Sequence, residues 1–236
     1  MQSSSRVAVI LVNHKDYARK HLFDCYASLR AQTYPAEKTK IFIVDNDFTP
    51  ETQKQIADNA PGAVLLQTRA NLGWGGGNNT ALRAALKQGF DYFVMLNMDT
   101  QVQKDWLEHL AGEADRRADL HILQSKVLLS GTDRINSVGN RMQFLGYGYC
   151  NGYGRKDSEL EAAAYPPMDF ASGAAMLVKR EGFERVGLFH EEYFMYYDDA
   201  EFCWRARLAG FRVGLASASV CRHKYDFRRV LDSLYY

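Results

Sequence analysis

No run of apolar residues in the chain approaches the ~20 needed to span a bilayer, so no transmembrane helix is expected. Met1 to Arg6 is polar and serine-rich, without the apolar core of a signal peptide. Charge of one sign is also lacking. The 29 lysines and arginines face 28 aspartates and glutamates, a formal net charge of +1. That balance gives no footing to a nucleic-acid partner. The four cysteines, Cys25, Cys150, Cys203 and Cys221, show no CxxC spacing. This argues against a zinc site or a disulfide framework and for isolated thiols in a reducing cytoplasm. There is no internal repeat and no low-complexity linker.

What remains is an ordinary globular composition, 47% hydrophobic and 24% charged over 236 residues. One α/β domain spanning residues 1–236 accommodates it. Val7 to Val12, Ile41 to Val44, Ala63 to Gln67 and Tyr92 to Leu96 are short apolar runs that read as buried parallel strands. Helical patterns separate them, over Tyr17 to Arg30, over Pro50 to Asn59 with Pro50 in the first turn, and from Asn79 or Thr80 to Lys87. This alternation predicts right-handed βαβ units in the first hundred residues. Further on, Trp106 to Ala114 and Lys179 to Val186 read as helices, and Ile122 to Leu129, Phe170 to Val178 and Phe211 to Leu215 contain strands. Gly131 to Gly154 has no clear period and reads as a hairpin or loop.

Asp91 to Thr100 draws the rest together. Its apolar strand ends at Asn97-Met98-Asp99-Thr100, so two oxygen-bearing side chains stand where a buried strand emerges. Ligands of open α/β sheets bind outside such carboxyl ends. Asn97 and Asp99 offer hard oxygen atoms suited to Mg²⁺ or Mn²⁺ that also holds a substrate phosphate. A plain turn explains them equally well, because Asn and Asp end many strands. The first and second strands, however, also end in such residues, Asn13 and Asp45.

A second constellation runs from Glu191 to Arg207. Five carboxylates fall among Tyr193, Phe194, Tyr196 and Tyr197, and Asp198 or Asp199 caps a helix starting near Ala200. Acids at a helix start are ordinary. Among aromatics, however, they are partly desolvated, and their pKa moves toward the range of a general base. His223 reads as a third metal ligand, a phosphate contact or a surface residue. Arg222, Lys224, Arg228 and Arg229 form a basic tail that reads as a solvated face or as a contact for diphosphate or anionic headgroups.

Taken in order, Val12-Asn13-His14, Val44-Asp45-Asn46, Asn71-Leu-Gly-Trp-Gly-Gly-Gly-Asn78-Asn79, Leu96-Asn-Met-Asp-Thr100, Phe170-Ala-Ser-Gly-Ala-Ala-Met176, Phe194-Met-Tyr-Tyr-Asp-Asp-Ala-Glu-Phe-Cys-Trp-Arg205 and His223 resemble the family-2 inverting glycosyltransferases with the GT-A fold. The likeness is strongest to the rhamnosyltransferase-like branch and covers roughly residues 6 to 225. It implies a mixed, mostly parallel sheet flanked by helices, with residues 1–100 as a Rossmann-like nucleotide-binding half and 101–236 as the acceptor half. It implies that Asp45 contacts the base or ribose of a nucleotide-sugar donor, with Asn13 beside it and Asn71 and Gly73 lining the pocket. Asp99 would bind the divalent metal and Asp199 would be the catalytic base, supported by Asp198. Ser172 and Gly173 would lie near donor sugar and acceptor. The implied donor is dTDP-, UDP- or GDP-linked, and the implied acceptor is a glycan or lipid-linked glycan reached from the cytoplasm, at the inner face of a membrane.

Two residues depart from the family pattern. Asn97 stands where an aspartate is common, and Asp198 where a glutamate is common. Leu231 to Tyr236 reads like an amphipathic helix cut short, as in a chain that continues. A dinucleotide oxidoreductase would carry its glycines after the first strand, whereas Gly73 to Gly77 follow the third. A glycoside hydrolase stays open on the carboxylates alone, although it would not need the Asp45 and Asn71 pocket; a non-catalytic sugar-nucleotide or glycan-binding module is the other alternative, and Asp99 with Asp199 argues against it.

Overall fold

Val7 to Asn13, the first strand (β1), is apolar at nearly every position because helices cover both faces of the sheet to which it belongs. Val7, Val9 and Leu11 face one layer, with Leu22, Leu29, Ile56, Trp106 and Leu110. Ala8 and Ile10 face the other, with Leu82, Phe183 and Phe202. Each such side chain, fully buried, contributes about 1.5–3 kcal/mol of transfer free energy. The structure, a computed structural model, describes residues 5–46, 48–160 and 165–224. Arg228, Arg229 and the Leu231 to Tyr236 pattern lie outside the described residues.

After β1, a single π-helical turn over Ala18–Leu22 leads into α1 (Phe23–Arg30). Then follow β2 (Thr39–Asp45), α2 (Pro50–Asn59), β3 (Val64–Gln67), α3 (Gly73–Ala85) and β4 (Tyr92–Leu96). The Thr49 side chain caps α2 in a reciprocal box with Thr52, and Pro50 opens it. β5 (Thr100–Val102), α4 (Trp106–Arg116), β6 (Ile122–Leu129) and β7 (Ile135–Ser137) come next. A separate hairpin pairs β8 (Asn140–Met142) with β9 (Gly148–Cys150). The described chain closes with β10 (Ala175–Lys179), α5 (Arg180–Val186), α6 (Asp198–Leu208) and β11 (Val213–His223).

The main sheet runs β3-β2-β1-β4-β10-β6-β11-β5, with β7 on β6. β3, β2, β1, β4, β6 and β11 point one way, and β10, β5 and β7 the other. This is the mixed, mostly parallel α/β sheet expected of a GT-A fold. The carboxyl ends of β1, β2, β4 and β11 and the amino end of β10 lie along one edge. Asn13 pairs Asp45, Ala175 pairs Leu96, and His223 pairs Thr100.

Two elements differ from expectation. α3 begins at Gly73, six residues before Asn79. Its glycines are close-packing positions, not breakers. A Cβ on Gly77 would stand 2.7 Å from Val12 Cγ1, and one on Gly75 would stand 2.7 Å from Asp198 Oδ1. β11 runs eleven residues to His223 instead of stopping at Leu215. Ala216 to Ser219, Ala-Ser-Ala-Ser, carries no large apolar side chain, and pairing resumes with β6 at Val220 after a bulge.

Candidate active site

The sheet edge opens into a cavity of about 360 Å³. Asn71, Gly73, Asn97, Asp99 and His223 line it. So do Ser172, Gly173, Asp198 and Asp199 from the other half of the chain. Asn13 and Asp45 do not: both are fully buried behind the wall. Asn13 Nδ2 donates to Asp45 Oδ1 at 2.8 Å, the Thr52 hydroxyl donates to Asp45 Oδ2, and Ala18 N donates to Asn13 Oδ1 at 2.7 Å. The two residues thus knit β1 to β2 and to the starts of two helices.

The next residue, Asn46, does reach the cavity. Its Nδ2 donates to Asn71 Oδ1 at 3.0 Å and to Gly73 O at 2.8 Å, and its Oδ1 accepts from Leu72 N at 3.0 Å. Asn46 therefore holds the loop that leads into α3. Gly73 needs to be glycine on two counts. Its φ is +72°, and a Cβ would fall 1.8 Å from Phe194 O. The Trp74 N–H donates to that same carbonyl at 2.7 Å. The α3 amino end and its partial positive charge thus meet the aromatic segment at the cavity mouth.

Asp99 stands in the tight turn from β4 to β5. It is 3% exposed, and its Oδ1 lies 3.1 Å from His223 Nε2, while Tyr17 OH donates to Oδ2 at 3.3 Å. Burial pushes the Asp99 carboxyl up, but the His223 hydrogen bond and the nearby charges of His223 and His21 outweigh it and hold the group below its usual range. Asn97 is turned aside: its Oδ1 accepts from Trp74 Nε1 at 3.2 Å.

One carboxylate oxygen and one imidazole nitrogen, adjacent in a polar cavity wall, suit Mg²⁺ or Mn²⁺. Among the described residues no group of three His, Cys, Asp or Glu gathers to hold a metal. Such a cation would therefore draw its other ligands from substrate phosphates and water, as Mg²⁺ commonly does.

Across the cavity, Asp198 and Asp199 open α6. Asp199 Oδ2 accepts from Gly173 N and Oδ1 from Ala200 N, each at 2.8 Å. Burial raises its pKa despite those donors. Asp198 is 2% exposed, and its Oδ1 has no hydrogen-bond partner among the described residues. Burial, aided by repulsion from Asp199 and Glu201, pushes it up to about 6. The backbone before them is strained. Phe194, Tyr196 and Tyr197 have φ of 60°, 69° and 63°, in the left-handed region that large side chains avoid.

Asn46, Trp74 and Tyr17 are site residues that sequence reasoning did not single out. Asn46 and Trp74 lay inside the quoted motifs, but the fold alone shows that they face the cavity. Arg222 and Lys224 of the basic tail are engaged, with Thr132 O and Asp24 respectively. All four cysteines are unpaired. No helix among the described residues is long and apolar enough to cross a membrane.

The hexosyltransferase Agl10 of low-salt glycan biosynthesis in Haloferax volcanii is 23% identical over 211 residues, covering 88% of this chain and 64% of that protein. The N-acetylglucosaminyl-diphospho-decaprenol L-rhamnosyltransferase of Mycobacterium tuberculosis is 27% identical over 227 residues, covering 86% of this chain and 72% of that protein. GalNAc-T7, solved with UDP, GalNAc and Mn²⁺, superposes with a TM-score of 0.71 at 12% identity, over 94% of this chain and 44% of the other. The mannosyltransferase PcManGT of Pyrobaculum calidifontis, solved with GDP-Man and Mn²⁺, gives 0.62 at 19% identity, over 95% and 58%. This chain therefore spans about half to three quarters of the length of these proteins. The family 2 glycosyl transferase profile matches residues 8–187, from β1 through α5, and the acidic pair and His223 follow it. With most of the chain matched and the fold shared, this protein belongs to glycosyl transferase family 2.

Proposed function

We propose that the chain moves a sugar, with inversion, from a nucleoside-diphosphate donor to a hydroxyl of a glycan or lipid-linked glycan. One observation carries the reading: the Asp99–His223 pair and Asp199 line the same cavity. The nucleoside end of the donor lies against Asn46, Asn71 and Gly73. The diphosphate faces the amino end of α3, where the helix dipole favours anions. Asp99 and His223 would hold Mg²⁺ or Mn²⁺, which when bound would supply neutralisation of the charge that develops on the leaving diphosphate. The leaving oxygen therefore needs no protonated acid, unlike that of a glycosidase.

Asp199 is the base. It takes the acceptor hydroxyl proton as that oxygen attacks the sugar carbon opposite the departing phosphate. Burial makes it a stronger base than a solvated aspartate, and the Gly173 and Ala200 N–H groups fix its orientation. Ser172 and Gly173 border the sugar. Asp198 packs the start of α6 against Gly75 of α3 and so couples the two halves. Likeness to the mycobacterial relative supports rhamnose as the sugar and a lipid-linked acceptor. The nucleotides in the solved relatives support UDP and GDP alongside dTDP as carriers.

A thermal-shift screen of UDP, dTDP, GDP and CDP, each with and without Mn²⁺, tests the reading. One diphosphate should raise the unfolding temperature by several degrees, and by more with Mn²⁺. The absence of a shift with all four overturns it.

A further inference from the structure

The β8–β9 hairpin turns its apolar side chains outward. Phe144 is 94% exposed and Leu145 67%, both at the turn between the strands. Tyr147 and Tyr149 follow, also exposed. Residues 142–150, Met-Gln-Phe-Leu-Gly-Tyr-Gly-Tyr-Cys, carry no charge. Facing them is the outer side of α6, where Trp204 and Leu208 sit one turn apart and are 56% and 77% exposed. A groove of about 330 Å³ separates the two, lined by Met142 and Gly146 of the hairpin and by Tyr193, Tyr197 and Trp204 on the other bank. Two elements remote in sequence thus build one exposed apolar surface, which scattered surface residues do not do. Tyr197 belongs both to this groove and to the catalytic cavity.

We propose that this surface docks on a lipid bilayer, with Phe144 and Leu145 entering the acyl boundary and the tyrosines and Trp204 at headgroup level. Three features select a bilayer. The apolar apex is a projection, and a bilayer accepts a projection without a complementary pocket. Behind the apex stand Tyr and Trp, whose rings are apolar and whose polar ends stay wet, the composition of membrane-interface belts. The turn is also held in shape: Gln143 N donates to Tyr147 O at 3.0 Å, Gly146 N to Gln143 O at 2.8 Å and Leu145 N to Gln143 Oε1 at 3.4 Å, so the apex is presented as a fixed projection.

The charges in and beside the groove nearly balance. Arg205 pairs with Glu201 within it, and Arg141 and Arg207 beside it share Asp169. Docking is therefore apolar in character and only weakly dependent on salt or on anionic lipid. Docked this way, the groove would lead from the bilayer to Asp199. That consequence rests on the proposed transferase reading, but the docking itself does not.

The test is co-sedimentation of the full chain with phosphatidylcholine vesicles, with and without phosphatidylglycerol, at low and high salt. The expected result is binding to both vesicle types with little change in salt. Phe144→Asp combined with Leu145→Asp should lower the bound fraction at least about tenfold. Brominated phosphatidylcholine should quench Trp204 fluorescence, leaving buried Trp106 unaffected. The double variant should keep the unfolding temperature and the nucleotide response of the parent, which separates lost docking from lost folding. Vesicle binding without any nucleotide response would sink the transferase reading and leave docking intact. The docking proposal fails if the parent ignores both vesicle types, if it binds only anionic vesicles and salt releases it, or if the double variant binds equally well. It fails too if the parent instead forms a dimer that the double variant dissolves.

Discussion

The Asp99 carboxylate lies 3.1 Å from the imidazole of His223, a residue 124 positions later in the chain. Both side chains are almost fully buried, 4% and 7% exposed. β11 brings them together by pairing antiparallel with β5, His223 opposite Thr100. Burial alone would raise the Asp99 pKa, and His223 reverses the sign. A carboxylate lowered in the folded state adds stability above its unfolded pKa, and that stability is lost as pH falls through the folded value. The Asp99 carboxylate is therefore kept ionised at neutral pH, which is the state a divalent cation needs.

Removing either partner should uncouple metal from nucleotide. Calorimetric titration of a nucleoside diphosphate, with Mn²⁺ or with EDTA, should show tighter binding in the presence of metal for the parent. In Asp99→Ala that difference should vanish. In His223→Ala it should shrink by about 10-fold or more, the scale of a lost metal-site contact. A full metal effect in Asp99→Ala would remove Asp99 from the metal site.

Asp199→Asn keeps the size and one acceptor oxygen of the side chain but cannot take a proton. Turnover should fall by about two orders of magnitude or more, the contribution of a positioned general base. Nucleotide affinity should stay within about twofold of the parent, because the change removes a transition-state interaction and not ground-state binding. Unchanged turnover would dismiss the base assignment.

Asp198 yields a prediction about pH. Its folded pKa is pushed up to about 6 by burial, above the model carboxylate value of 3.8. The folded state therefore holds this proton more tightly than the unfolded state. Stability from this group is complete below the unfolded pKa and is lost as pH rises through about 6. Asp198→Asn removes the charged form. At pH 8 it should unfold about 5–10 °C above the parent, given ~2–3 kcal/mol of relief. At pH 4 the two should unfold within about 2 °C of each other. Scanning calorimetry across that range decides, and a gap that does not widen with pH would contradict the assignment.

A Cβ on Gly173 would meet Trp74 Cζ2 at 2.4 Å, and the same residue donates its N–H to Asp199. Gly173→Ala must push the indole away from Asn97 or the backbone away from Asp199. Overpacking of this kind costs about 1–3 kcal/mol. The catalytic effect should be larger, roughly 10–100-fold in kcat/KM, because a misplacement near 1 Å is enough. Steady-state kinetics beside thermal unfolding would show both, and full activity would mean that Trp74 does not buttress the base.

Much of this architecture was legible in the chain. Val7 to Val12, Ile41 to Val44 and Tyr92 to Leu96 are apolar enough to be strands in no other setting, and their polar ends marked the sheet edge. The α3 start was not legible, because the glycines after Leu72 read locally as breakers. Their helical role depends on Val12 and Asp198, which approach only in the fold. The reach of β11 to His223 was hidden for a similar reason: the strand crosses a bulge after Ala216 and continues because Val220 to His223 pair with β6 again, not because of local propensity. Depth was the other blind spot. A strand-end carboxylate and its neighbour look alike in a sequence, and only partners such as Thr52 reveal which of them faces a ligand.

That distinction makes the last prediction. Asp45 is enclosed, with one oxygen on Asn13 and the other on Thr52, whereas Asn46 lines the cavity and clamps Asn71, Leu72 and Gly73. Asp45→Ala leaves Asn13 Nδ2 without its partner, at about 1–3 kcal/mol, while the Thr52 hydroxyl keeps Thr49 O as an acceptor. Its main effect should be a lower unfolding temperature, with nucleotide affinity of the folded protein within about threefold of the parent. Asn46→Ala should do the reverse at the ligand. It frees the loop that carries Asn71 and Gly73, so nucleotide affinity should fall at least about tenfold while the metal-dependent gain persists, because Asp99 and His223 are untouched. Ordering that loop on binding would then have to offset roughly 1–2 kcal/mol per residue fixed. If Asp45→Ala instead weakens nucleoside binding more than Asn46→Ala does, Asp45 reaches the nucleoside directly and the wall in front of it opens when the donor binds.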